Sequence, residues 1–332
     1  MSSFDDLTIK IQEIIRDEKK KGASLKYLNA SHAKLLSQIV GNYNLKAKKE
    51  GQSAKVIILG APTGAGKDIL VRKLKLMEPD RNYVILNMDI FRHYHDFITG
   101  LPETMLYKEY AKKTNQTSYE IYYIIQETIL REYPGTNIIV TGTIKDIEWI
   151  KNIIRRYRND EKTNYRVVLD TLAVEKNESA FSIFERYLTL VDSRDKSARS
   201  LRFTDIGYHN ATTRDFIRNV SLFEKNMNED AEEKFFDEIK VFYRNKDIFD
   251  VKEDTIIYDS DDKEKYGESC IGLISQKMNS ISFIENNRVE RLIDILRKNK
   301  RYLVSQGLYK DILNALREIL ISQIDVSGSK LF

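Results

Sequence analysis

The chain has 332 residues, 42% hydrophobic and 31% charged, a balance that buries a core and excludes an intrinsically disordered protein. Its 54 basic residues face 50 acidic ones, and a net charge of +4 provides no whole-molecule field for nucleic acid. With one cysteine, Cys270, an internal disulfide is excluded; the opening Met-Ser-Ser-Phe-Asp-Asp lacks a secretory h-region, and no apolar stretch approaches the ~20 residues of a bilayer span, so the reading is a cytoplasmic protein with no membrane partner.

Residues 1–50 read as a separate helical segment. Leu7, Ile11, Ile14 and Ile15 fall at i, i+4, i+7 and i+8, and Leu35, Leu36, Ile39 and Val40 repeat the stripe. The polar stretch from Lys46 to Ser53 then reads as a linker. From Lys55 the periodicity changes to short continuous apolar runs, Val56-Ile57-Ile58-Leu59, Tyr83 to Leu86, Asn137 to Val140, Arg166 to Leu172 and Ile239 to Tyr243. Runs of this kind are strands buried on both faces of a parallel sheet, and the helical stretches between them (Ile69 to Met77, Ser118 to Tyr133, Ser179 to Val191) supply right-handed crossovers. The fold class expected is therefore α/β, a P-loop NTPase-type parallel sheet flanked by helices over 51–260. A helical region follows over 261–332, striped by Val289, Leu292, Ile293 and Leu296 and by Ile312, Leu313, Leu316, Ile319 and Leu320, with Gly307 at the turn between them.

The strongest local signal is Gly60-Ala61-Pro62-Thr63-Gly64-Ala65-Gly66-Lys67-Asp68-Ile69, directly after the first strand and before a helix. Glycines let the backbone curl so that successive N–H groups point at phosphate oxygens. The helix N-terminus adds partial positive charge, and Lys67 reaches the β- and γ-phosphates, which implies ATP with Mg²⁺. Two departures from Gly-x4-Gly-Lys-[Ser/Thr] stand out. Ala61 replaces the first glycine, and Asp68 replaces the hydroxyl that ordinarily ligates Mg²⁺. A carboxylate also binds Mg²⁺ but stands close to the β-phosphate. The bland alternative is a glycine-rich turn without a nucleotide.

After the second strand, Asp89 occupies the crevice position where α/β sheets bind ligands, as a base for an attacking hydroxyl, a Mg²⁺ ligand, or merely a helix N-cap. Here the sequence resembles the zeta toxin family of P-loop kinases. The family's Asp-x-Phe-[Lys/Arg]-x-x-His-Pro-x-[Phe/Tyr] segment is matched by Asp89-Ile90-Phe91-Arg92-His93-Tyr94-His95-Asp96-Phe97, with Asp96 in place of the proline. Its strand ending in Glu-Gly-Thr is matched by Thr141-Gly142-Thr143, its Ala-Val-x-x-x-x-Ser by Ala173 to Ser179, and its Glu-Arg-Tyr by Glu185-Arg186-Tyr187. An Ala-Arg pair and a later histidine are matched by Ala198-Arg199 and His209. The blocks keep their order from Val56 to Tyr258.

The resemblance implies a kinase that phosphorylates the 3′-hydroxyl of an amino sugar carried on a nucleotide, such as UDP-N-acetylglucosamine. It implies catalytic roles for Lys67, Asp89, Arg186 and Arg199; Asp68 and Asp89 are the candidate Mg²⁺ ligands on carboxylate chemistry. An acceptor pocket of Asp89, Phe91, Arg92, His95, Thr141, Thr143 and Lys145 also follows. Thr141 stands where the family has glutamate and Lys145 where many members have arginine, both on the acceptor side. Without the family pattern the two arginines read as exposed ion pairs. A helical antitoxin partner is implied too, which raises three roles for residues 1–50: built-in inhibitor, docking surface, or packing on the sheet edge. The competing functional readings are a catalytically weak ATP-binding interaction module and a polynucleotide kinase that stacks bases on Tyr94, Phe97 and Tyr107.

Overall fold

The computed structural model describes the chain outside residues 1–3, 44, 46–52, 101–106, 161, 194–203, 229–232, 245–255, 267–268, 281–283 and 330–332. Two helices come first, α1 (Phe4–Lys20) and α2 (Ala33–Gly41). The core follows as β1 (Ala54–Gly60), α3 (Lys67–Met77), β2 (Tyr83–Leu86), α4 (Met88–Phe91), α5 (His95–Thr99), α6 (Tyr107–Glu132), β3 (Asn137–Gly142), α7 (Ile147–Arg158), β4 (Tyr165–Ala173), α8 (Lys176–Asp192), α9 (Ile206–Asn228), β5 (Glu238–Tyr243) and β6 (Ile256–Asp259). Five further helices complete it: α10 (Lys263–Tyr266), α11 (Cys270–Asn279), α12 (Asn286–Lys298), α13 (Lys300–Ser305) and α14 (Tyr309–Ser329).

The six strands are ordered β2-β3-β1-β4-β5-β6, all parallel except β6, which runs antiparallel to β5. Every residue of β1 is buried, because the strand lies between β3 and β4 with helices over both faces. Side chains alternate across the pleat. Val56 and Ile58 join the larger core with α6, α7 and α9, while Ile57 and Leu59 face Leu70, Val71 and Leu74 of α3. All five strands expected from the sequence form. The short β6, partly exposed, carries no continuous apolar run and was not expected.

The N-terminal stripes are buried in the same core as β1 and β3: Leu7, Ile11, Ile14, Ile15, Leu36, Ile39 and Val40 are each at most 5% exposed. Their neighbour is α6. The Glu120 carboxylate accepts hydrogen bonds from the backbone N–H groups of Lys26 (2.8 Å), Tyr27 (2.9 Å) and Leu28 (2.8 Å), and Arg131 pairs with Glu18. The C-terminal stripes form a separate cluster. Leu292, Leu296, Leu303, Ile312 and Leu316 pack on Phe181, Phe184 and Leu188 of α8, and Gly307 turns between α13 and α14 at φ 68°.

Candidate active site

Chain direction brings the C-terminal ends of β1, β2, β3 and β4 to one edge of the sheet, where the 61–66 turn, Asp89 and Thr143 follow β1, β2 and β3. The 61–66 turn leaves β1, and Gly66 at φ 92° starts α3 in the left-handed region that only glycine enters freely. Gly64, at φ 82°, lies so close to α8 that a Cβ would stand 2.1 Å from the Ser179 carbonyl oxygen. Ser179 in turn shares a 2.8 Å hydrogen bond with buried His209 of α9, whose imidazole burial pushes down to about 4 and keeps neutral. The turn is thus set by α8 and α9 as well as by its own glycines.

Gly60 has a different reason for lacking a side chain. A Cβ there would overlap the Ile144 side chain, which follows β3 at φ 51°, the left-handed region that a β-branched residue avoids. The amide of Asn219 holds this turn by donating to the carbonyls of Ile144 (2.7 Å) and Lys145 (2.9 Å). Backbone strain of this kind costs on the order of 1–3 kcal/mol and concentrates at functional sites.

Lys67 opens α3 and its ammonium donates to the carbonyls of Ala61 and Pro62, each at 3.3 Å. Burial pushes its pKa down to about 8, with the charges of Asp89 and Asp68 acting in the opposite sense and Arg186 in the same sense. Asp89 is not the helix cap. Asn87 takes that role, its side chain accepting from the Asp89 N–H at 2.9 Å, and the Asp89 side chain is 65% exposed. Its carboxylate accepts from Arg92 Nε at 2.9 Å. Arg92, 3% exposed, also donates to Thr114 (2.9 Å) and Asn115 (3.1 Å) of α6. Buried His95 meets Thr117 of α6 at 2.7 Å and the edge of the Tyr27 ring. Phe91 is 1% exposed in the main core. Arg92, His95 and Phe91 therefore fix the segment that presents Asp89.

Of the remaining predicted residues, Thr141 is 8% exposed on β3 opposite Leu59, and Thr143 is half-buried beyond it. Lys145 is exposed with its ammonium over the Tyr208 ring. Arg186 is exposed on α8, and Arg199 lies outside the described residues. Asp68 is exposed in the first turn of α3. Among the described residues no group of three or more His, Cys, Asp or Glu is placed to hold a metal.

A sequence model of the Zeta toxin family matches residues 42–263, two thirds of the chain. The chain belongs to the zeta toxin family. With that family it is a P-loop kinase-type protein, a phosphotransferase that binds ATP. Among solved structures, the chain is similar to one from the PezAT chromosomal toxin-antitoxin system of the human pathogen Streptococcus pneumoniae. The TM-score is 0.58 and the identity 19%, over 82% of this chain and 97% of that one. It is also similar to AvrRxo1-ORF1:AvrRxo1-ORF2 solved with sulphate ions, at TM-score 0.50 and 12% identity over 91% and 93% of the two chains. The same pair solved with ATP gives TM-score 0.50 and 12% identity over 87% of each chain. At these identities the likeness is one of fold. No curated protein matches the chain. Among the described residues no helix is long and apolar enough to cross a membrane.

Several site residues carry no motif. Asn219 and Ile144 act through a turn geometry that no local pattern announces. Arg244, which follows β5 and donates to the Gly64 carbonyl at 3.2 Å, was findable. It stands just past a predicted parallel strand, the same position that singled out Asp89. Glu120 and Glu127 of α6, by contrast, serve structure: Glu120 holds the 26–28 backbone, and Glu127 pairs with Arg156.

Proposed function

We propose that this zeta toxin family member transfers the γ-phosphoryl group of ATP to a hydroxyl of a nucleotide-activated amino sugar, with UDP-N-acetylglucosamine as the first candidate. The observation that carries the reading is the glycine turn after β1, with Lys67 held on the Ala61 and Pro62 carbonyls, at the same end of the sheet as an exposed Asp89 carboxylate held by Arg92. Phosphoryl transfer is mainly positioning and charge neutralisation. The turn's N–H groups and Lys67 hold the β- and γ-phosphates, and Arg186 with Arg199 adds planar guanidinium groups on the transferring oxygens. The Asp89 carboxylate, exposed and held by Arg92, accepts the proton of the attacking hydroxyl. Asp68 and Asp89 are the residues that would hold a Mg²⁺ ion, which would supply charge neutralisation to the phosphates. Phe91, Arg92 and His95 line or support the acceptor side from β2, and Thr141, Thr143 and Lys145 do so from β3.

A toxin-type kinase calls for a restraining partner, and a helical antitoxin is proposed as that partner. Placement in the cytoplasm, where ATP and nucleotide sugars meet, belongs to the same reading. The test is incubation of the full chain with γ-labelled ATP and a panel of UDP-sugars, nucleosides and oligonucleotides. Label on UDP-N-acetylglucosamine, lost in Asp89→Asn, supports the assignment. Label confined to oligonucleotide 5′ ends replaces it with a polynucleotide kinase.

A further inference from the structure

Outside the segment matched by the family model, α12 sends one side chain into the nucleotide site's supports. The guanidinium of Arg288 lies between two carboxylates of α8. It donates to Glu178 from Nη1 (3.1 Å) and Nη2 (3.0 Å), and to Glu185 from Nη2 (2.7 Å) and Nε (3.3 Å), while stacking over the Phe181 ring at 5.0 Å. Glu178 and Glu185 are seven residues apart, two turns of one helix face, and like charges in that arrangement need a cation between them.

The chain of contacts continues inward. The Glu178 carboxylate also accepts from Arg244 Nη2 at 3.5 Å and from Ser182 Oγ at 3.3 Å, and Arg244 Nη1 donates to the Gly64 carbonyl at 3.2 Å and to Ser182 at 3.4 Å. Arg244 also borders the second glycine of the turn, since a Cβ on Gly66 would stand 3.5 Å from its Nη1. At the other end, Glu185 is the residue immediately before Arg186. The side chains of α12, α8 and β5 thus form one charge-alternating path from the C-terminal helices to the phosphate-binding turn.

We infer that Arg288 is a positioning residue for the nucleotide site, acting through Glu178 and Arg244 on the 61–66 turn. Planar bidentate pairing makes the arrangement rigid: an arginine at 288 satisfies both carboxylates at once, and this leaves Arg244 on the Gly64 carbonyl. With Arg288 removed, Glu178 keeps Arg244 as its arginine partner among the described residues, and Glu185 loses its own. Arg244 is then drawn from the turn toward them, and the loop that orients the N–H groups loosens. The inference rests on the reading that the turn binds ATP.

The test uses the full chain, with ATP itself as the probe in titration calorimetry and with hydrogen exchange of the backbone amides of residues 63–67. Arg288→Ala is expected to weaken ATP binding by about tenfold, the scale at which residues without ligand contact modulate a distant site, and to speed exchange in the turn. Arg288→Lys, which keeps the charge and loses the fork, is expected to fall between the two, at about threefold. A merely structural role lowers the melting temperature without moving either readout in the folded protein. Unchanged ATP affinity and unchanged turn exchange in folded Arg288→Ala overturn the inference. If that variant does not fold, wild-type affinity in Arg288→Lys overturns it. Absence of ATP binding by the wild type itself, with Lys67→Ala as the reference, overturns the P-loop reading underneath as well.

Discussion

Lys67→Met exchanges a half-buried cation for an apolar side chain of similar length, and its effect follows from the lysine's surroundings. The ammonium has two carbonyl oxygens as partners, and desolvation pushes its pKa from 10.5 to about 8. A fall of that size corresponds to about 3 kcal/mol against the charged form, and partial exposure brings the expected cost to roughly 1–3 kcal/mol. The sign is fixed by proton counting. Between pH 8 and 10.5 the unfolded chain holds the Lys67 proton and the folded chain does not, so folding stability rises with pH there, and the cost is fully present below about pH 8. Lys67→Met is therefore expected to unfold at higher urea than the wild type at pH 7. The advantage should shrink toward zero near pH 10.5, and ATP binding should be lost throughout. For the wild type, ATP binding near pH 9 should take up protons, visible as a binding enthalpy that depends on the buffer. A Lys67→Met protein that is less stable at pH 7, or whose difference from wild type is constant with pH, refutes the reasoning.

Asp89→Asn keeps the Asn87 cap and shape but loses the base, so turnover should fall about 10²-fold or more while ATP affinity stays within a few-fold; a parallel collapse of Mg²⁺ and ATP affinity would reassign Asp89 to the metal. Asp68→Ser removes a carboxylate near the phosphates and should tighten MgATP binding, whereas weakened binding in a calorimetric titration marks the carboxylate as a required ligand. A chain beginning at Ser53 loses α1 and α2, and with them seven aliphatic side chains worth about 1.5–3 kcal/mol each when buried. It is expected to be insoluble or strongly destabilised in thermal unfolding, and a folded, more active truncation would instead make residues 1–50 an inhibitor.

The parallel sheet and the turn were legible because both rest on local chemistry. Val56 to Leu59 is apolar on both faces, and Gly64, Gly66 and Lys67 follow it directly. The place of Asp89 just past β2 was legible, although its freedom from the capping role depended on Asn87, which sequence alone does not rank above it. The relation of residues 1–50 to the core was not legible. The apolar stripes define a helix face but not its neighbour, and the neighbour is α6, joined by Glu120 across more than ninety residues. The same holds for Asn219 on the strained Ile144 turn and for Arg288 on Glu178 and Glu185. Each is a single side chain whose partner is set by tertiary packing, and one sequence carries no sign of such pairs.

Phosphorus NMR of the full chain with ATP, Mg²⁺ and UDP-N-acetylglucosamine tests the central claim most directly, because it follows donor and acceptor together. The expected result is a new phosphomonoester resonance on the sugar that grows in one-to-one proportion with ADP, absent in Lys67→Ala and slowed about 10²-fold or more in Asp89→Asn. ATP consumption that yields only inorganic phosphate, or a monoester that forms equally well without Lys67, would contradict it.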